Sequence, residues 1–170
     1  MEVREAMKKR RSVRSYKDKS VPKEDLEAVL EAARLAPSAR NLQDWKFVVV
    51  TDDNLRQEMV EVANGQKFVG EAPVIIAAVA LNTDYVMSCG VPAHIVDLSI
   101  AVDHMTLAAA DRGFGTCWIG SFSQEKAKEV LGVPEEYRVV TLFPLGYPAD
   151  SPGGIQRKSL AEIVCQNQFE

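Results

Sequence analysis

Three guanidiniums and a hydroxyl fall within five residues near the start of the chain: Arg10, Arg11, Ser12 and Arg14. Arginine meets phosphate oxygens bidentately and keeps its charge when desolvated, so so compact a cluster suits one phosphate monoester better than an extended polyanion. It also suits a solvated helix end, where cations near the C-terminus are favourable. The residue types alone leave both readings open. A second dense group, residues 37–45 (PSARNLQDW), gathers neutral donors and acceptors in Ser38, Asn41 and Gln43. Amides and hydroxyls in a loop near strand ends match the edge of a uracil-like ring, with its alternating acceptors and donors. Turn chemistry accounts for the same residues equally well.

Other chemistry-bearing residues read as structural. His94 and His104 sit on or beside a long helical pattern with Cys89 and Asp97 nearby, and an isolated helical histidine is more often a packing residue than a metal ligand. No metal site is expected. Cys117 falls in an apolar run, where a thiol behaves as a small hydrophobe. The loosely spaced glycines of residues 113–120 precede and include a strand instead of opening a helix, which rejects a dinucleotide phosphate loop.

The elements that must position these groups follow from periodicity. Val3, Ala6 and Met7 recur at helical spacing and deliver the basic cluster to a loop over residues 10–16. After Pro22, the stripe of Leu26, Val29, Leu30 and Ala33 predicts a helix that ends before Pro37. Residues 46–50 (KFVVV) read as a buried strand, and Asp52 or Asp53 caps a helix carrying Leu55, Met59 and Val62. Residues 73–80 (PVIIAAVA) form a second strand, followed by a polar stretch over 82–92. The longest helix then carries Ile95, Leu98, Val102, Met105 and Ala109 on one face and further apolar residues on its flank, which predicts a central position. Residues 116–119 (TCWI) read as a third strand, Ser123 caps a helix through Leu131, and residues 138–147 supply the fourth strand. This order predicts an α+β, sandwich-like fold with a mixed central sheet of about four to five strands flanked by helices.

Length and composition set the outer bounds. A chain of 170 residues is the size of one domain, which buries roughly 70% of its unfolded surface, and no internal repeat or linker divides residues 1–170. A net charge of -4 argues against wholesale nucleic-acid binding, which depends on surplus Lys and Arg. The odd cysteines Cys89, Cys117 and Cys165 are widely spaced, so no disulfide framework is indicated and a reducing cytoplasm fits. No apolar run reaches the roughly 18 residues of a membrane span, and the N-terminal segment has no apolar signal core. Residues 149–170, polar before an apolar end, fit an arm that packs on another subunit.

Taken in order, the RRSVR opening, PSARNLQDW leading into KFVVV, the APVII strand, GTCWIG, LGVPEEY, LGYP and a late RKSL resemble the nitroreductase family across nearly the whole chain. The resemblance implies a homodimer with the long helix at its interface, FMN in a groove between subunits, and NAD(P)H as a transient co-substrate. It places Arg10, Arg11 and Ser12 on the phosphate and ribityl chain, and Arg14 on the pyrimidine side of the ring. Ser38, Asn41 and Gln43 meet the flavin, in the partner's site for some contacts. Ile119 and Gly120 belong to the segment whose backbone faces the ring, and Arg157 and Lys158 close on the phosphate. Asn64 and Lys67 fall where some relatives place a further flavin contact. No side chain is expected to act as a catalytic acid or base, because hydride passes through flavin N5 from NAD(P)H to a small acceptor such as a nitroaromatic or quinone, with the Gly120 backbone near the ring. Reductive dehalogenation, flavin-consuming chemistry and a non-catalytic flavin-binding dimer are the alternatives.

Overall fold

The computed structural model describes residues 2–150, 153–154 and 156–169. Its sheet holds β1 (Trp45–Val50), β2 (Val74–Ala80), β3 (Gly115–Thr116) and β4 (Arg138–Gly146) in the spatial order β1-β2-β4-β3. β2 lies inside, and every one of its residues is buried. Val74, Ile76, Ala78 and Ala80 enter one core, with Val29 and Ala33 of α2 (Lys23–Arg34) and Leu98, Val102 and Met105 of α5 (Ala93–Asp111). Ile75, Ala77 and Val79 enter the other, with Met59 and Val62 of α3 (Asp53–Val62) and Ala127 of α6 (Gln124–Leu131). Side chains alternate across a strand, so helices on both faces require an apolar residue at every position. That requirement is why the run over residues 73–80 shows no polar alternation.

All pairings between these strands are antiparallel. Among the described residues parallel pairing is confined to an isolated bridge between Ser12 and Thr116, so the expected mixed sheet reduces to that one contact. The continuous apolar runs had pointed to buried strands of either sense, because double-sided burial erases the alternation that marks a one-faced sheet. β1 is an edge strand with only Val50 fully buried, which corrects the expectation of a buried strand over 46–50. A bulge in β4 sets Thr141 opposite Ala78 and Val139 opposite Val79. The extra residue sends Val140 and Leu142 into opposite cores.

Helix ends follow their local chemistry. Asp52 accepts the Leu55 N–H at 3.0 Å and caps α3, a contribution of about 1 kcal/mol. Ser123 caps α6 by accepting from Lys126 N–H. Pro22 stands at the cap of α2 rather than inside its first turn. α1 (Val3–Lys9) buries only Ala6, while Val3 and Met7 stay exposed. A short helix missing from the sequence pattern, α4 (Lys67–Glu71), turns Val69 and Gly70 inward.

The strand expected over residues 116–119 is broken. Gly115 and Thr116 pair with β4, and Ile119 returns to exchange two backbone hydrogen bonds with Leu142 at 2.9 and 3.2 Å. Cys117 and Trp118 leave the ladder between them, and this detour exposes Trp118. Gly120, just beyond it, is exposed as well.

Candidate active site

The opening loop is bound to the segment that leads to Gly120. Val13 donates its N–H to Thr116 O at 2.8 Å, beside the Ser12–Thr116 bridge. Residues 12–14 therefore run alongside residues 116–118. Gly115 makes this approach possible, since a Cβ there would stand 2.5 Å from Cγ2 of Val13. Arg14 lies close enough to Cys117 to offset part of the effect of burial, which pushes that thiol up from its ordinary value. Tyr16 locks the loop from beneath: its hydroxyl donates to Val13 O at 2.9 Å, and burial raises its pKa.

Two cavities flank this loop on its cationic side. One of about 420 Å³ is lined by Lys8, Lys9, Arg10 and Arg11, with Thr106 of α5 and Thr116 opposite. A second, of about 350 Å³, is lined by Arg4, Lys8, Arg11 and Arg157. Arg11 belongs to both, so Arg157 of the late basic segment lies near the opening one. Lys158 lines neither and is exposed. One Arg11 nitrogen donates to Lys8 O at 2.5 Å and Arg10 O at 2.9 Å. The helix-end reading of the cluster is thus realised too, and the rest of that guanidinium remains for an anion. Lys8, Lys9 and Arg4 were missed by sequence reading because charges on a helix ordinarily mark its solvated face.

A third cavity, of about 320 Å³, lies in front of Gly120, between Ile95, Phe122 and Val140. α5 lines this cavity with Ile95 and the first with Thr106 and Ala110. At about 1.5 Å per residue these positions span about 22 Å of helix, with the 115–120 segment running beside it. A cationic end, a peptide track and an open glycine beside apolar side chains thus follow one another along α5.

Nothing stands within 4 Å of where a Cβ at Gly120 would project. The fold itself does not require glycine there. Gly120→Ala is therefore expected to change unfolding free energy by less than about 1 kcal/mol in a urea titration. A ligand seated on the Gly120 backbone predicts a clear loss of flavin affinity in the same variant, and equal affinity would remove the ring from this position.

Asn64 and Gln66 reach the same neighbourhood. Asn64 Nδ2 donates to Ser121 Oγ at 3.2 Å and Gln66 Nε2 to Ser121 O at 2.9 Å. Lys67 opens α4 and is exposed on a separate surface cavity with Glu61 and Glu71.

Ser38, Asn41 and Gln43 do not join these cavities. They form a tight loop before β1 in which Arg40, Asn41 and Gln43 all take left-handed φ values of 53°, 56° and 55°. Such conformations cost about 1–3 kcal/mol each outside glycine and persist only where neighbours enforce them. Ser38 Oγ accepts from Gln43 N–H, Gln43 Nε2 donates to Asn41 O, and buried Asp97 of α5 accepts from Ala39 N–H at 3.0 Å. Asp97 is the positioning residue that sequence reading passed over; its only signal was a carboxylate on an otherwise apolar helix face. His104 Nδ1 meets Ala32 O at 3.3 Å, a structural contact as expected. No cluster of His, Cys, Asp or Glu that could hold a metal occurs among the described residues, and no described helix is long and apolar enough to cross a membrane.

The nitroreductase family model matches residues 7–67 and 60–147. A nitroreductase family protein from Clostridium novyi NT is 37% identical over 89% of this chain and 88% of its own, with a TM-score of 0.82. An FMN-dependent nitroreductase from Clostridium difficile R20291 is 31% identical over 96% of this chain and 98% of its own, with a TM-score of 0.83. An NADH dehydrogenase of Thermus thermophilus is 30% identical, covering 96% of this chain and 95% of its own length. With its motifs in order, its helix-covered antiparallel sheet and its cationic cleft, the chain belongs to the nitroreductase family.

Proposed function

We propose that the protein is an FMN-dependent oxidoreductase that takes hydride from NADH or NADPH and passes it to a small organic acceptor, such as a nitroaromatic or quinone, in two alternating steps. The observation that carries this reading is the pair of basic cavities that share Arg11, one with Arg10 and the other with Arg157, near one end of a segment whose other end presents Gly120 to a cavity walled in part by Ile95, Phe122 and Val140. Arg10, Arg11 and Arg157, with Ser12 beside them, hold the phosphate and ribityl chain; Lys158 lends charge from outside the cavities. Arg14, alongside Cys117, faces the pyrimidine side, where a fixed positive charge favours the electron-rich reduced ring. The bound flavin supplies a ring that accepts and returns hydride at N5. Ile119 and Gly120 orient that ring, and solvent supplies protons, so no side chain needs a shifted pKa.

The working form in this proposal is a cytoplasmic homodimer with α5 at its interface. Trp118, Leu160 and Phe169 are exposed in the single chain, and a second copy supplies the cover for them. Ser38, Asn41 and Gln43, remote from the cationic cavities of their own chain, then serve the partner's flavin. The arm over residues 149–170 packs across the pair; residues 151, 152, 155 and 170 of it lie outside the described residues. Dehalogenation and flavin-consuming chemistry call for a segment that closes over the acceptor. Residues 82–92 instead close on themselves, with Met87 N–H bonded to Val91 O and Gly90 N–H to Met87 O, which favours simple exchange.

The test is spectroscopic. The purified protein is expected to carry or take up one FMN per chain, and anaerobic NADH or NADPH bleaches it before a nitroarene or quinone restores the colour. A bound flavin that neither nicotinamide reduces would overturn the proposal.

A further inference from the structure

We propose that Arg138 is a specificity residue that selects planar aromatic acceptors bearing a carboxylate; this rests on the flavin reading above. Arg138 is the first residue of β4 and the one charged residue lining the cavity in front of Gly120. The walls beside it are Ile95, Phe122 and Val140, so an aromatic ring finds apolar surface and its anionic substituent finds a guanidinium. Arginine's fork matches the two oxygens of a carboxylate.

Three features keep this guanidinium available. Gln124 clamps the strand end that carries it: its Nε2 donates to Val139 O at 2.8 Å, and its Oε1 accepts from Val139 N–H at 2.8 Å. Arg138 forms no ion pair among the described residues, although Glu135 and Glu136 line the adjoining cavity of about 440 Å³. The Glu135 carboxylate is engaged by Lys128 at 3.1 Å, and Glu136 points no oxygen within ion-pair distance of Arg138. His94, in the same adjoining cavity, is held toward its neutral form by burial and then by Arg138 itself. It therefore adds no second positive charge to compete with Arg138 for the incoming anion. The result is a positive charge on a clamped strand end, beside an apolar wall and with no ion-pair partner among the described residues.

The test compares 4-nitrobenzoate with 4-nitrobenzamide, near-isosteric acceptors that differ by one charge. In each turnover NADH gives a hydride and becomes NAD+, solvent gives a proton, and the nitro group is reduced on the ring to nitroso with one oxygen released as water. Intrinsic differences in reducibility cancel when the ratio of kcat/KM for the two acceptors is compared between wild type and variant. With FMN-loaded full-length protein, Arg138→Gln is expected to lower that ratio by about tenfold, the equivalent of one charge-assisted hydrogen bond, through KM for the benzoate. Arg138→Lys should restore most of it. In the wild type, added salt should raise KM for the benzoate and not for the benzamide; this decides the matter even if Arg138→Gln folds poorly. A ratio that stays within twofold, or a benzoate KM indifferent to salt, overturns the assignment while leaving the flavin reading intact. A wild-type flavin that NADH does not bleach, seen before any acceptor is added, sinks the flavin reading and this inference with it.

Discussion

Replacing both Arg10 and Arg11 with alanine is expected to weaken FMN binding by about 100-fold. Hydrogen bonds to charged groups contribute about 1.5–3 kcal/mol each, and about 1.4 kcal/mol is a factor of ten in affinity. Two independent arginines would therefore exceed 100-fold. They are not independent: they are adjacent, line one cavity with Lys8 and Lys9, and Arg11 already spends one nitrogen on the carbonyls that end α1. The neighbouring lysines retain part of the field. Fluorescence titration of flavin-free protein measures the loss, and its salt dependence gives a second reading, because fewer phosphate-facing charges flatten the fall of affinity with ionic strength. Loss of the Arg11 contacts to α1 frays the first turns without entering either core, since α1 buries only Ala6. A collapse of global stability is therefore not expected to imitate the effect. A double variant that holds FMN within threefold of wild type would move the phosphate away from this cleft.

What could be read from the sequence divides by physical origin. Patterns enforced by burial on both faces were legible: the run of β2 and the broad apolar surface of α5 each follow from being covered on more than one side. Caps were legible because Asp52 and Ser123 act on N–H groups three residues away. The sense of strand pairing was not, because a strand buried on both faces reads the same whether its neighbours run parallel or antiparallel. α4 escaped because five residues hold too little of a helical period to register. For the site, residue types named the cationic loop and the family resemblance named the segment expected to face the ring, while their mutual placement depends on contacts such as Val13 with Thr116, far apart in the chain. Arg138 carried no signal at all: a charged residue at a strand start reads as ordinary surface, and only the clamp by Gln124 and the cavity beside Gly120 give it a role.

Gly115→Ala should be the most disruptive single-methyl change near the site. The new Cβ would lie 2.5 Å from Val13 Cγ2, 2.8 Å from Val13 Cβ and 3.0 Å from Pro148 Cγ. Val13 cannot retreat easily: it is buried, its N–H is bonded to Thr116 O, and its carbonyl receives the Tyr16 hydroxyl. Overpacking of this kind costs about 1–3 kcal/mol, which urea unfolding will resolve. The strain should also shift residues 12–14 away from 116–118, so flavin affinity falls together with stability. Val13→Ala alone destabilises by leaving a void. In combination with Gly115→Ala it removes Cγ2, the nearest atom the new methyl strikes, while Val13 Cβ stays at 2.8 Å, so the double variant should be more stable than the sum of the single effects predicts, by about 1 kcal/mol. FMN affinity should recover in parallel, since both properties depend on the same approach of two segments. Strict additivity would mean that the opening loop and the ring-facing segment are held in register by something other than the bare Cα of Gly115.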